Sequence, residues 1–432
     1  MVRRSVERRV AGLLAAAVLG AGLAALAGPA RAQDNALGAS VQSLLDHARS
    51  QSPELAAMRF EAAAAQERVQ PAGALPDPAL RIELEDIGNY GTDARPSLLP
   101  WRVGGTKYTL MQTLPAWGKR GLRQDVAAAD AQQAGARTAA AWSELAARIK
   151  TVYAQYYLAA GAERLTREIL DLMVRLEQVA QARYAGGLVA QQDAIRAQIE
   201  QTAMRTELIA QDSEKRQLRA RLNALLARDG AAPLAEPQAL RPLPVLSAFD
   251  AAELARRAEA ANPALRIEDA RLLGAQRNRE LTLRNRYPDV LVGVSPNQMG
   301  SRITTWGVMV ELNIPLQQAS RRSQEREAEA MVGAAHSRRE ALARQQRGEL
   351  GANLAAIDAA RRSEALVATQ LLPQSELSLR SALAGYENGK VEFTALLEAQ
   401  RQIRKARLDR LKAQVELQLR LAEIERIVGE DL

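Results

Sequence analysis

Two hydrophobic periods alternate along the chain, and each is used twice. From Val41 to Val69, and again from Ala251 to Arg284, apolar residues recur at helical spacing, with Pro53 and Pro263 as early breaks. After the pairs Pro76-Asp77 and Pro288-Asp289 the period shortens to that of a strand. Leu80, Ile82 and Leu84 alternate with Arg81, Glu83 and Glu85; Val290, Val292 and Val294 form one face in the second copy. Trp306, Val308, Val310, Leu312 and Ile314 then alternate with Thr305, Gly307, Glu311 and Asn313, and Tyr108 to Leu114 reads as a less regular strand. The loops Gly88 to Gly105 and Ser295 to Arg302 join these strands, which predicts two β-hairpins, over about 79–115 and 289–315.

Beyond Pro115 there is no proline until Pro233, and beyond Pro315 only Pro373 interrupts. Those stretches are rich in Ala, Arg, Glu, Gln and Leu, all good helix formers. Leu145, Ile149, Val152 and Tyr156, then Leu165, Ile169, Leu172, Leu176 and Val179, step by four and three as a coiled-coil seam does, with a phase slip near Gly161. A helix from Trp117 to Tyr184 would be about 100 Å long, too long for a compact globular domain. Gly186-Gly187 and Gly389 then turn the chain back, predicting a helical hairpin in each copy, over about 117–229 and 317–428.

The two copies also match in detail. Tyr184-Ala-Gly-Gly187-Leu188-Val189 and Tyr386-Glu-Asn-Gly389-Lys390-Val391 share the pattern Y-x-x-G-x-V. Ser52-Pro53-Glu54-Leu55 pairs with Asn262-Pro263-Ala264-Leu265, and Leu114-Pro115 with Ile314-Pro315. The chain reads as a tandem duplication: a first repeat over 33–229, a linker over 230–248 containing Pro233, Pro237, Pro242 and Pro244, and a second repeat over 249–432.

Composition changes this picture at its ends. Arg3, Arg4, Arg8 and Arg9 precede an apolar run from Val10 to Gly28, and Ala30-Arg31-Ala32 supplies a cleavage pattern, so residues 1–32 read as a secretory signal peptide. Five Arg and one Glu would leave with it, reducing the formal charge from +8 to +4 and removing half of the apparent case for a polyanion partner. Arg and Glu are mixed along the remaining helices, which argues against nucleic acid. Cysteine is absent and His47 and His336 stand far apart, so no thiolate site or paired-histidine metal site is available. No phosphate loop, nucleophile elbow or metal-ligand spacing points to an enzyme, and no cofactor is implied.

Four strands cannot close a barrel, and open edges are not tolerated in lipid. Other subunits must complete the sheet; outer-membrane barrels begin at eight strands, so a dimer is the minimum and a trimer of twelve strands is permitted. Tyr90, Trp101, Tyr108, Trp117, Tyr287 and Trp306, half of the Trp and Tyr, gather in the two hairpin regions as interfacial girdles do.

The order helix, β-hairpin, long helix pair, proline linker, then the same again, resembles the TolC-type outer-membrane efflux proteins across the chain beyond residue 32. The most specific likeness is Tyr184 to Asp193 with its sister Tyr386 to Phe393. Gln112-Thr-Leu-Pro115-Ala-Trp-Gly118-Lys119-Arg120 and Leu371-Leu372-Pro373 look like the heavy-metal branch of that family. The resemblance implies a mainly helical homotrimer in the outer membrane, with a twelve-stranded transmembrane β-barrel and a long periplasmic α-barrel. It would receive substrate from an inner-membrane pump through a periplasmic adaptor. It places adaptor docking at Gly187, Leu188, Val189, Gly389, Lys390 and Val391, and a periplasmic gate at Asp193, Tyr386 and Glu398. Some members carry a basic gating residue where this chain has Val391, leaving open whether Lys390 replaces it. Three copies of Asp193 or Glu398 around an axis would form a cation-selective carboxylate ring, although a charge on a long helix can equally be a solvated face. The competing readings are a periplasmic adaptor, which would show one helical hairpin within a small β domain, and a coiled-coil envelope protein, which would lack the strands.

Overall fold

The computed structural model describes residues 37–88, 95–187 and 189–432. The signal-peptide reading, Tyr90 and Leu188 lie outside the described residues. The first repeat begins with α1 (Val41–Gln51) and α2 (Pro53–Glu67). They are separated where Ser52 caps the second helix, its hydroxyl accepting from Leu55 N, with Pro53 at the first helical position, where no N–H is needed. A short α3 (Val69–Gly73) leads to β1 (Ala79–Glu85) and β2 (Gly105–Leu114). Then come α4 (Lys119–Ala185) and α5 (Gln191–Leu225). The second repeat runs through α6 (Ala251–Ala261), α7 (Pro263–Arg284), β3 (Val290–Met299), β4 (Arg302–Leu312), α8 (Gln318–Leu366), α9 (Leu372–Glu387) and α10 (Phe393–Val428). Asn262 repeats the role of Ser52, accepting from Ala264 N and Leu265 N ahead of Pro263.

At 67 residues, α4 is about 100 Å long. Its partner α5 has only 35 residues and covers the part of α4 nearer the turn; the remainder packs against α2 and α7, and α7 also packs against α8. Helix α10 lies against α4, α8 and α9, joining the two repeats side by side. Pro373 does not end the second long helix. One π turn, Val367–Leu371, precedes α9, with Leu372 N donating to Val367 O; this wider turn accommodates the proline ring and its missing N–H. Near the expected phase slip, a Cβ on Gly161 would stand 2.6 Å from Leu411 Cδ2, so the glycine lets α10 approach α4 closely.

Both expected hairpins form, β1 with β2 and β3 with β4, and they join into one sheet. Its order is β1-β2-β3-β4, all antiparallel, so the two copies pair through β2 and β3. The loop expected over Ser295 to Arg302 is instead mostly strand: β3 continues to Met299 and turns at Gly300-Ser301. Pro296, which suggested a loop, is tolerated because the β2–β3 ladder is interrupted there, between the pairs Leu110–Val294 and Lys107–Asn297. A register shift at Asn297/Gln298 follows in the β3–β4 ladder.

The proline linker has no helix or strand up to Val245, yet it is tied down at several points. Ala235 N donates to Leu37 O at 2.9 Å, and the buried Tyr153 hydroxyl donates to Ala39 O and Ala239 O. Burial, with Tyr157 nearby, pushes the Tyr153 phenol up to about 12, so it remains a donor at any working pH. Lys215 of α5 reaches Glu163 of α4 at 2.5 Å and Glu236 of the linker at 2.9 Å. Although burial opposes it, these two carboxylates raise the Lys215 ammonium. The Lys215 hydrogen bond in turn holds Glu236 below the usual carboxylate range. A lowered acid stabilises the fold above its unfolded pKa and loses that contribution as pH falls through the folded value. Glu236→Gln is therefore expected to melt earlier than the parent at pH 7, the gap closing below about pH 4; melting curves across that range check it, and a gap independent of pH would refute it.

Candidate functional site

Two surfaces carry candidate function, and the sheet is the first. Register places Leu80, Ile82, Tyr108, Leu110, Leu114, Val290, Val292, Val294, Trp306, Val308, Val310 and Leu312 on one face of all four strands. Most are open to the surroundings, Val308 at 81% and Trp306 at 70%. The opposite face carries Arg81, Glu83, Lys107, Thr109, Thr113, Ser295, Asn297, Thr305 and Glu311. An apolar outer face over a polar inner one, with β1 and β4 as free edges, is the arrangement of a barrel segment in lipid.

The aromatics fall at two levels. Trp117, 93% exposed, follows β2, and Tyr287 precedes β3, both at the helix-side end of the sheet. Trp101 lies in the β1–β2 loop, while Trp306 pairs with Pro296 near the far turn and Tyr108 donates to Gln298 Oε1 at 3.3 Å. The helix-side junction is locked. Lys119 Nζ contacts Asp289 Oδ1 at 2.8 Å and Tyr287 O at 2.7 Å, and Ala116 N also donates to Asp289 Oδ1. Gly118, at φ +83°, makes the corner that brings Lys119 inward. The Gly118-Lys119 pair thus has a structural role that needs no metal. Among the described residues, no group of three or more His, Asp or Glu side chains is placed to hold a metal ion, and no helix is long and apolar enough to cross a membrane.

The second surface is formed by the two helix tips. Gly187 and Gly389 both lie in the left-handed region, at φ +68° and +72°, and end their helices by donating to Tyr184 O and Tyr386 O. The tips are side by side. Val189, Asp193, Tyr386, Gly389, Lys390 and Val391 line one open cleft of about 420 Å³. Gly187 stands at the tip outside this cleft, with nothing within 4 Å of where a Cβ would be. Glu398 is apart as well, on an exposed face of α10, accepting from Gln402 Nε2 at 3.4 Å.

Tyr386 forms the floor of this cleft. It is fully buried, its ring lies 5.3 Å from Phe393, and both pack with Ile169, Met173, Leu176, Met204 and Leu396 in a core shared by the two repeats. Burying each large apolar side chain there contributes about 1.5–3 kcal/mol. The Tyr386 hydroxyl has no hydrogen-bond partner among the described residues. Burial, then the Asp193 carboxylate, push its phenol up, while Arg183 opposes this. Asp193, in the first turn of α5, is itself raised by burial and by Glu392, with Arg196 and Arg183 pulling it down. Arg183, Arg196, Glu392 and Phe393 also line the cleft; Glu392 and Phe393 fall in the second tip motif with no role assigned to them, and sequence reasoning named neither Arg183 nor Arg196. For Arg183 a signal existed: it lies in the last turn of α4, four residues before Gly187.

A family model described as outer membrane efflux protein matches residues 44–228 and 254–430. Among solved structures, the outer-membrane channel OprN is 19% identical, with 90% of this chain and 89% of that chain covered and a TM-score of 0.75. The outer membrane protein VceC of Vibrio cholerae is 16% identical, covering 90% of this chain and 96% of that one, with a TM-score of 0.76. CusC, described in terms of transmembrane channel formation, is 14% identical over 90% and 92% of the two chains, with a TM-score of 0.71. CusC scores below the other two, so the comparison does not single out that relative. No curated protein matches the chain.

Proposed function

Because the chain belongs to the outer membrane efflux protein family and is an outer-membrane efflux channel rather than an enzyme, we propose that it works as the outer part of a three-part export assembly. In this reading three copies join β1 of one to β4 of the next into a twelve-stranded barrel, and their helices form a periplasmic tunnel. An inner-membrane pump delivers substrate through a periplasmic adaptor.

The observation that carries this reading is the cleft between the tips. Two helical hairpins of equal reach end together, with a solvent-open groove of about 420 Å³ over a buried aromatic floor. Such a groove suits the tip of another helical hairpin. Beside it the tip backbone is open at Gly187, where nothing lies within 4 Å of a Cβ position, and the left-handed turn presents it outward. Asp193 and Tyr386, at the same place, are the gate residues of this reading; Glu398 would act only as part of a ring around the tunnel axis. Any cation cargo would pass hydrated and steered by carboxylates, and the choice of cargo rests with the pump.

Gly187→Trp is expected to abolish export while largely preserving outer-membrane assembly, since a Cβ there has nothing within 4 Å and the local cost is the strain of a side chain at φ +68°. Gly389→Trp is expected to do the same with some loss of assembly, because its Cβ would stand 3.1 Å from Arg183 Nη2. Resistance of a pump-dependent strain, measured beside the amount of trimer in the outer membrane, is the readout. Unchanged resistance in both variants would remove the docking assignment.

A further inference from the structure

The two free edges of the sheet carry matching chemistry. Within one chain Ala79, Met111, Gly293 and Met309 stand side by side across the four strands, and this row is the level from which an offset between copies is counted. On the polar face β1 carries Arg81, Glu83 and Glu85, and β4 carries Gly307, Met309 and Glu311. On the apolar face β1 carries Leu80, Ile82 and Leu84, and β4 carries Trp306, Val308, Val310 and Leu312. Arg81 is exposed and paired at 3.6 Å with Glu83 of its own strand; Glu311 is exposed and makes no hydrogen bond or ion pair among the described residues. The helices that run into these edge strands are open as well. Helix α2, which packs on α4 ahead of β1, exposes Phe60, and α8, which follows β4, exposes Met331 and Leu366. Two unlike, partly apolar sides on one chain suit a head-to-tail ring of copies.

Closure restricts the offset. The apolar residues of both edges must share the lipid face, and side chains alternate along a strand, so only even offsets are allowed. With about 3.4 Å per residue and about 4.8 Å between strands, offsets of two, four and six residues per four strands tilt the strands by about 20°, 35° and 47°. Membrane barrels tilt by roughly 35–45°, which rejects two and fits four. Taken toward the helix-side end, an offset of four sets Leu80, Ile82 and Leu84 against Leu312, Val310 and Val308, and Arg81 opposite Glu311. Taken the other way it leaves only residues 79–82 facing β4, because Glu83 would already stand at the Gly300-Ser301 turn. An offset of six would set Glu83 opposite Glu311, and like charges directly across a strand pair are destabilising. We propose that β1 of one copy pairs with β4 of the next in the register that sets Arg81 opposite Glu311, forming an ion pair between copies on the inner wall of the barrel. This rests on the joining of β1 to β4 proposed above, but not on the number of copies, since the tilt depends only on the offset per chain. In the closed seam Arg81 stands between Glu83 of its own strand and Glu311 of the next copy.

The chain has no cysteine, so paired substitutions supply the only thiols. In outer membranes carrying the full-length channel, Ile82→Cys is combined in turn with Val308→Cys, Val310→Cys and Leu312→Cys, which report offsets of two, four and six, and with Arg302→Cys, which reports the reversed offset of four. Each variant is oxidised and separated in denaturing detergent. The Val310→Cys combination is expected to join copies covalently severalfold faster than the other three. Faster joining through any of those would overturn the register and leave the β1-to-β4 seam standing, whereas joining through none of the four, in a channel that still assembles, would overturn the seam as well. Charge reversal is a second measurement that needs no thiol. Arg81→Glu and Glu311→Arg are each expected to lower the amount of assembled channel severalfold, and the double variant to recover most of it, a rescue that the Arg81–Glu83 pair within one strand would not give. A double variant no better than the single ones, or single variants as abundant as the parent, would overturn the ion pair.

Discussion

Glu425→Ala is expected to lower stability by about 3–5 kcal/mol and to leave little assembled protein in the outer membrane. Glu425 of α10 and Lys150 of α4 are joined at 2.7 Å with side chains only 3% and 5% exposed. Arg241 of the linker closes on the same carboxylate with two bonds of 3.0 and 2.9 Å, and Leu432 N donates to it at 3.2 Å. One carboxylate thus joins the first repeat, the linker and the last helix. Truncating it strands the Lys150 ammonium in the interior, and Asp431, which also contacts Lys150, is too exposed to replace the lost solvation. Glu425→Gln keeps the shape and part of the hydrogen bonding and is expected to be less damaging. Thermal dissociation of the assembled protein and protease resistance provide the check; an alanine variant as robust as the parent would show that the cluster is dispensable.

The second large effect is expected on the sheet. Val308→Arg places a charge mid-strand on the apolar face of β4 and should cost about 2–4 kcal/mol at the bilayer midplane, repeated in every subunit. Thr305→Arg, three positions away on the polar face, is expected to be tolerated. The contrast separates the lipid from simple strand damage, since both variants alter the same strand. Equal outer-membrane levels for the two would mean that this face does not meet lipid.

Much of the fold was legible locally. Alternation at Leu80 to Glu85 and Trp306 to Leu312 marked strands, and Ser52-Pro53 and Asn262-Pro263 marked helix starts, because period and capping act over a few residues. Pro296 misled because proline is read as a breaker, whereas its effect depends on whether a neighbouring strand requires its N–H. At the candidate site, Tyr386 and Asp193 stood in the paired tip motifs. Arg183 did not stand out, because arginines are frequent along these helices; its place in the last turn before Gly187 was a faint signal, and its geometry across the cleft is what distinguishes it.

By itself the sequence determined the duplication, the element types and their order, the long helices and the glycine turns, all of which follow from local periodicity and backbone preference. Only the tertiary structure decided that β2 pairs with β3, that the two tips share one cleft, and that Glu425 gathers Lys150 and Arg241. Each of these joins residues far apart in the chain, and packing selects such partners from many chemically equivalent side chains that no local pattern ranks.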